Sequence, residues 1–397
     1  MTAAQRNVLL LSCCQALLLT NATGLVAMTG LVGYSLASSK ALATLGASTY
    51  VLGSAVSTMP MSLWMARVGR RRGFMAGALV NIAGCALAVL ALYLRSFALY
   101  CVATAVIGVY NAVGLQYRFA AAEVSPGAAK ARAISLVLAG GIVGGFLGPA
   151  ITRWGKDLFA QPFMGSFVLL AVVAVVALAL QSQVHVPKPS AVESAGGGRP
   201  LGEIVRQPVF VVAALAGTLG YGLMNLLMNA TPLAMDLCGL PYGLAATVIS
   251  WHVVGMYAPG FVTGTLIGRL GLLRVIVLGV AIMASGAIVA LTGNELLHFL
   301  VALALVGVGW NFMYTGGTML LTESYAPAEK ARTQGANDFI MFSTMALSSF
   351  SAGALVSSTG WQTMNWAVLP FLALVALAVA WYARLPKEAR AGHAARG

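Results

Sequence analysis

The sequence predicts an all-α membrane protein of twelve transmembrane helices arranged as two six-helix bundles. Three observations predict it. Hydrophobic residues fill 59% of 397 positions and charged residues 8%, whereas soluble domains average about 25% charged. The apolar residues gather into twelve runs of membrane-crossing length. The second half of the chain repeats the first.

A span needs roughly 20 apolar residues. The first run, 8–35, follows Arg6 and is too long for the apolar core of a signal peptide. No small-residue cleavage site follows it, so helix 1 is expected to remain as an anchor. Runs 41–66, 73–94, 97–118, 132–152 and 162–184 complete an N-terminal bundle, residues 1–184. Residues 185–207, "HVPKPSAVESAGGGRPLGEIVRQ", are rich in Pro, Gly and Ser and read as a cytoplasmic linker. Runs 208–235, 241–268, 272–292, 295–321, 333–358 and 361–384 form the C-terminal bundle, residues 208–397. The 45 glycines suit helices that approach closely. Gly140, Gly144 and Gly148, one turn apart, are expected to pack against a neighbouring helix.

The net charge of +13 raises the question of nucleic acid. The basic residues lie between apolar runs rather than on one face, and no nucleic-acid motif is present. With the N-terminus inside, the outer segments hold only Lys40, Arg95, Arg153 and Lys156, and the other nineteen of the 23 basic residues face the cytoplasm. That asymmetry predicts both termini inside. Five cysteines, Cys13, Cys14, Cys85, Cys101 and Cys238, show neither CxxC nor zinc-finger spacing.

"YNAVGLQYRFAAAEVSPGAAKAR" (110–132) matches "WNFMYTGGTMLLTESYAPAEKAR" (310–332) at a constant offset of 200. "ARVGRRRG" (66–73) likewise answers "GRLGLLR" (268–274). Parallel repeats joined by a linker imply a transporter with a site near the bilayer midplane. On these residues the whole chain resembles the major facilitator superfamily, in which "ARVGRRRG" corresponds to the loop between helices 2 and 3. It departs from that loop at Ala66, where the family usually has an Asp that helps hold the outward-open state. Glu123 with Arg132, and Glu323 with Arg332, are candidates to hold a gate instead. Asp338, near the start of helix 11, is the candidate buried carboxylate. Helix 1 carries no acid; its polar positions are Gln15, Thr20, Asn21 and Thr23.

The substrate must be sought inside the bundle. His252 stands in the apolar stretch "SWHVVGMYAPG", with Met256 one turn on. The preceding helix carries Met224 and Met228, also at i and i+4. Counted from a hairpin turn near Cys238, Met224 and His252 are fourteen residues away on either side, about 20 Å along each helix. Thioethers and a neutral imidazole form a soft, uncharged donor set that favours Cu(I). Met235 and Cys238 near the turn would form a metal entry station, with Asp236 adding attraction. Chance predicts roughly one MxxxM and ~0.2 HxxxM in such a chain; three of the former occur, so the histidine motif has the greater weight. The paired motifs, with "GVGWN" (307–311) and "ARTQGANDF" (331–339), resemble CcoA-type copper importers. These are bacterial inner-membrane proteins that supply copper for cbb3-type cytochrome oxidase assembly.

That resemblance implies a monomeric importer of Cu(I) with Met224, Met228, His252 and Met256 as its metal-binding set. Copper is cargo rather than cofactor, no resident cofactor is expected, and a cytoplasmic copper chaperone would be the downstream partner. A riboflavin-transporting branch is closely similar. The alternative is therefore a flat organic substrate held by Tyr110, Tyr221, Trp310, Phe312 and Tyr314. No Ser/His/Asp set, phosphate loop or paired in-membrane carboxylates point to an enzyme.

Overall fold

Helix is the one open structure that satisfies every backbone N–H and C=O within lipid, and the twelve apolar runs are helical over nearly all of their described length. The computed structural model describes residues 2–38, 42, 45–125, 127, 129–187, 198–240 and 242–386. Lys40 and the centre of the linker lie outside these residues. The helices are α1 (Ala3–Leu36), α2 (Leu45–Val68), α3 (Arg70–Tyr93), α4 (Phe97–Gly114), α5 (Tyr117–Val124), α6 (Ala129–Ala139), α7 (Gly141–Gly155) and α8 (Met164–Gln181). After the linker come α9 (Leu201–Val205), α10 (Pro208–Leu237), α11 (Tyr242–Tyr257), α12 (Gly260–Leu270), α13 (Leu272–Thr292), α14 (Leu296–Leu321) and α15 (Lys330–Arg384). The last is two spans in one, broken at Gly360, whose φ of 81° is open to glycine at little cost.

Nine helical segments of the described residues are long and apolar enough to cross a membrane. The other three apolar runs are α2, α11 with α12, and the first half of α15. They are diluted by Ser, Thr, Asn and Gly, or interrupted near Pro259.

The chain divides into two compact units. One contains Met1–Pro126 and Leu136–Ser194, the other Gly127–Ser135 and Ala195–Gly397. The short segment 127–135 belongs to the second unit through real packing. Ala131 clusters with Ile267, Val275 and Phe312, and Gly264 of α12 lies against the Arg132 backbone.

Glycines set the close crossings. In the first unit Gly140, Gly144 and Gly148 meet the α1 backbone at Ser12, Ala16 and Thr20. Thr23 of α1 donates to Gly144 O at 2.9 Å across that seam. The repeat shows at a second crossing. Gly53 of α2 faces Ala105 of α4, and Gly108 of α4 faces Tyr50 O. In the second unit Gly255 of α11 faces Ala304 of α14, and Gly307 faces His252 O.

Candidate functional site

Aromatic side chains from three helices of the second unit meet around Trp310. Trp310 and Tyr314 are one turn apart on α14, and their rings stack at 5.0 Å, 14° apart. Tyr221 of α10 presents an edge to both, at 5.3 Å and 5.4 Å. Tyr257 of α11 presents an edge to Trp310 at 5.7 Å. Trp310 is buried, while Tyr221 is partly exposed. Three polar atoms here have no hydrogen-bond partner among the described residues: Trp310 Nε1, Thr315 Oγ1 beside Tyr314 in sequence, and Thr218 Oγ1 one turn before Tyr221. Native folds rarely strand buried polar atoms, so each needs a reason.

The other two expected aromatics lie elsewhere. Phe312 packs with Ala131, Ile267 and Val275, because two residues along a helix from Trp310 turns a side chain away. Tyr110 is buried in the first unit, where its hydroxyl accepts from Gln181 Nε2 at 3.4 Å. Tyr257, which sequence reasoning missed, stands beside Met256 in the motif that drew attention for its sulfur.

His252 is fully buried on the side of α11 that meets α14, and its Nδ1 donates to Leu303 O at 2.6 Å. That bond leaves Nε2 as a bare acceptor, and Nε2 has no partner among the described residues. Met256 is buried, and its carbonyl accepts from Asn311 Nδ2 at 2.7 Å. Met224 is buried and Met228 half-buried. Depths follow from the contacts. Tyr257 and Tyr221 share the level of Trp310. His252 is then about 7.5 Å nearer the α10–α11 turn, between Met224 at about 4.5 Å and Met228 at about 10.5 Å. Met235 is buried in the last turn of α10, and Cys238 caps that helix as an exposed residue. Among the described residues no group of three or more His, Cys, Asp or Glu could hold a metal ion.

Two comparisons with known proteins decide the family. The family model described as Major Facilitator Superfamily matches residues 11–258 and 220–397. A curated relative, the riboflavin transporter RfnT of Brucella anthropi, is 42% identical over 379 residues, covering 94% of this chain and 95% of the relative. The chain belongs to the major facilitator superfamily. The uncharacterized MFS-type transporter YdeG of Bacillus subtilis is 28% identical, covering 83% of this chain and 80% of the relative. Among solved structures the facilitator FucP in its outward conformation aligns with a TM-score of 0.77 at 13% identity, covering 96% of this chain and 99% of that one. That likeness speaks for the fold alone. The chain is thus a multi-pass membrane transporter for a small substrate.

The charged residues singled out in the sequence of this facilitator sit at helix ends and loops, Asp338 excepted. Glu123 is bound by Arg70 at 2.8 Å, and Arg70 also donates to Gln116 Oε1 at 2.8 Å. Arg70 opens α3 just after Gly69, whose φ is 91°. Its counterpart in the second repeat, Gly271, has φ 90°. Burial pushes the Glu323 carboxyl up, and the Lys130 charge pulls it partly back. Arg132 lies at the start of α6 with its backbone against Gly264. Arg332 follows one helical turn after Glu329, beside Gly198 of the linker. Asp338 is fully buried two turns into α15 and accepts from Asn337 at 3.0 Å, so it does not cap that helix.

Two ionic features escaped the sequence. Arg118, counted there among the cytoplasmic charges, is buried in α5 with its guanidinium over the Phe119 ring at 4.6 Å. Arg199 of the linker grips buried Glu329 at 2.9 and 2.7 Å through its side chain and 2.8 Å through its backbone N–H. No spacing rule links residues 130 apart.

Proposed function

We propose that the chain imports riboflavin, or a flat heteroaromatic molecule like it, across the bacterial inner membrane by alternating access. The ring system is held among Tyr221, Tyr257, Trp310 and Tyr314. One observation carries the reading: a buried indole N–H without a partner among the described residues, inside a cage of three tyrosine rings. Aromatic walls with a few placed polar groups suit a flat ligand, and an edge carbonyl of such a ring would satisfy Trp310 Nε1. The 42% identity to a riboflavin transporter over 94% of the chain supports the same substrate class.

Uptake by a riboflavin-requiring strain tests it. The wild type restores growth on low riboflavin. Trp310→Ala and Tyr221→Ala each lower uptake at least tenfold at equal membrane abundance. Trp310→Phe, which keeps the ring but not the N–H, raises the KM roughly three- to tenfold, the worth of one hydrogen bond. Failure of the wild type to restore growth rejects the assignment.

The copper reading retains one observation in its favour, the bare Nε2 of buried His252 at a depth between Met224 and Met228. If it is the function, purified wild type holds copper, and His252→Ala and Met256→Ala do not. Equal, near-zero copper in all three removes it.

A further inference from the structure

The face of α10 that begins with Tyr221 continues in amides. Asn225 and Asn229 follow at i+4 and i+8, on the same side and about 6 and 12 Å further along. Asn225 Nδ2 donates to Met345 O at 3.2 Å, Ser348 Oγ at 2.9 Å and Ser349 Oγ at 2.7 Å, all on α15. Asn229 Nδ2 donates to the same Ser349 Oγ at 3.1 Å. Asn225 is buried, Ser348 and Ser349 are half-buried, and Asn229 is exposed.

This ladder exceeds what helix-to-helix glue requires. Asn225 has two amide hydrogens facing three acceptors, and one of these, Met345 O, also accepts from Ser348 Oγ at 2.9 Å, so the spare capacity of the ladder lies at Ser349. Ser349 Oγ accepts from two asparagines, which leaves its own hydroxyl hydrogen to give away. Asn229 sits about 12 Å in from the Leu237 end of α10. An exposed amide at that depth is costly against lipid, and in-membrane polar residues usually face the bundle interior or a watered path. Closely spaced groups that both donate and accept, running away from an aromatic cage, match a chain of hydroxyls attached to a flat ring.

We propose that Asn225, Asn229, Ser348 and Ser349 bind the polyhydroxylated arm of the substrate while the aromatic cage takes its ring. This assignment rests on the reading of the aromatic cage given above. It makes the cargo class a flat heteroaromatic ring bearing a polyol, and it predicts that the ring alone is a poor ligand.

Riboflavin uptake in whole cells, with lumiflavin as competitor, tests the assignment, because lumiflavin keeps the ring and lacks the polyol. In the wild type, lumiflavin inhibits at least tenfold more weakly than unlabelled riboflavin. Asn229→Ala, which loses a single exposed bond, raises the riboflavin KM about fivefold, as expected for one hydrogen bond. It leaves lumiflavin inhibition unchanged, an internal control for an intact fold. Ser349→Ala does the same and guards against an accident of one variant. Equal inhibition by the two flavins in the wild type overturns the assignment, as does a variant that shifts both ligands together; either result leaves the aromatic cage standing. If the wild type takes up no riboflavin at all, the cage reading falls, and the polyol assignment falls with it.

Discussion

Glu329 shows how a carboxylate is kept ionised in a chain with only ten acids. The forked hydrogen bonds from Arg199 hold its carboxyl at about 2, well below the usual carboxylate range, with the Ala326 and Arg199 backbone N–H groups assisting. A folded-state value depressed in this way contributes stability in full above the unfolded value near 4.5. The contribution fades as pH falls from there and is gone below about 2. Glu329→Gln keeps the shape and loses the charge, costing about 2 kcal/mol for charge-assisted bonds to a partner that is partly exposed. Thermal unfolding in detergent checks this: the gap between wild type and variant is constant from pH 8 to 5 and narrows below pH 4. A gap that widens on acidification contradicts the assignment. Residue-scale legibility was uneven for a physical reason. Trp310, Tyr314 and Tyr221 stood out as bulky rings on α14 and α10. Phe312 looked equivalent until the helix turned it away from the cage into the cluster with Ala131, Ile267 and Val275, and Arg199 with Glu329 left no local trace.

Helices of this chain meet through glycine, and the two repeats use the same device. At the α11–α14 crossing a methyl on Gly307 would press on His252 O and the Met256 N–H, which are backbone atoms and cannot swing aside. Gly307→Ala therefore forces the helices apart, stretching the 2.6 Å His252–Leu303 bond and the 2.7 Å Asn311–Met256 bond. Overpacking of this kind typically costs 1–3 kcal/mol. A methyl on Gly268 of α12 would enter open space, with nothing among the described residues within 4 Å. Gly268→Ala is therefore neutral or stabilising by about 0.5–1 kcal/mol. Membrane abundance and melting temperature of the two variants separate the cases; equal behaviour rejects the crossing as a close contact. The elements themselves were legible, since a run of twenty apolar residues has no alternative to helix in lipid. The Gly140–Gly144–Gly148 face was legible from its spacing. The break at Gly360 was legible too, since the apolar runs 333–358 and 361–384 leave residues 359–360 between them; what the sequence did not show is that helix continues on both sides with no loop.

The placement of charge across the whole molecule bears on which way the chain sits in the membrane. Arg153 and Lys156 stand at the end of α7, whereas Arg67, Arg71 and Arg72 stand at the α2–α3 turn and Arg269 and Arg274 at the corresponding α12–α13 turn. Lys and Arg close to a span resist translocation, so the prediction is that the richer side is cytoplasmic and the loop around residues 157–162 external. A Cu(I) ion entering from outside would gain ~2.3 kcal/mol per 100 mV of membrane potential. A neutral flavin gains nothing from it, so direction in the flavin reading depends on gradient and gating rather than on voltage. Orientation is open to direct measurement. Alkaline phosphatase, active only outside the inner membrane, is expected to be active when fused after Gln161 and inactive when fused after Pro200. The distance between these points along the chain is one span, α8, so both fusions cannot lie on the same side if α8 crosses once. Activity at Pro200 with silence at Gln161 would overturn the orientation read from the basic residues.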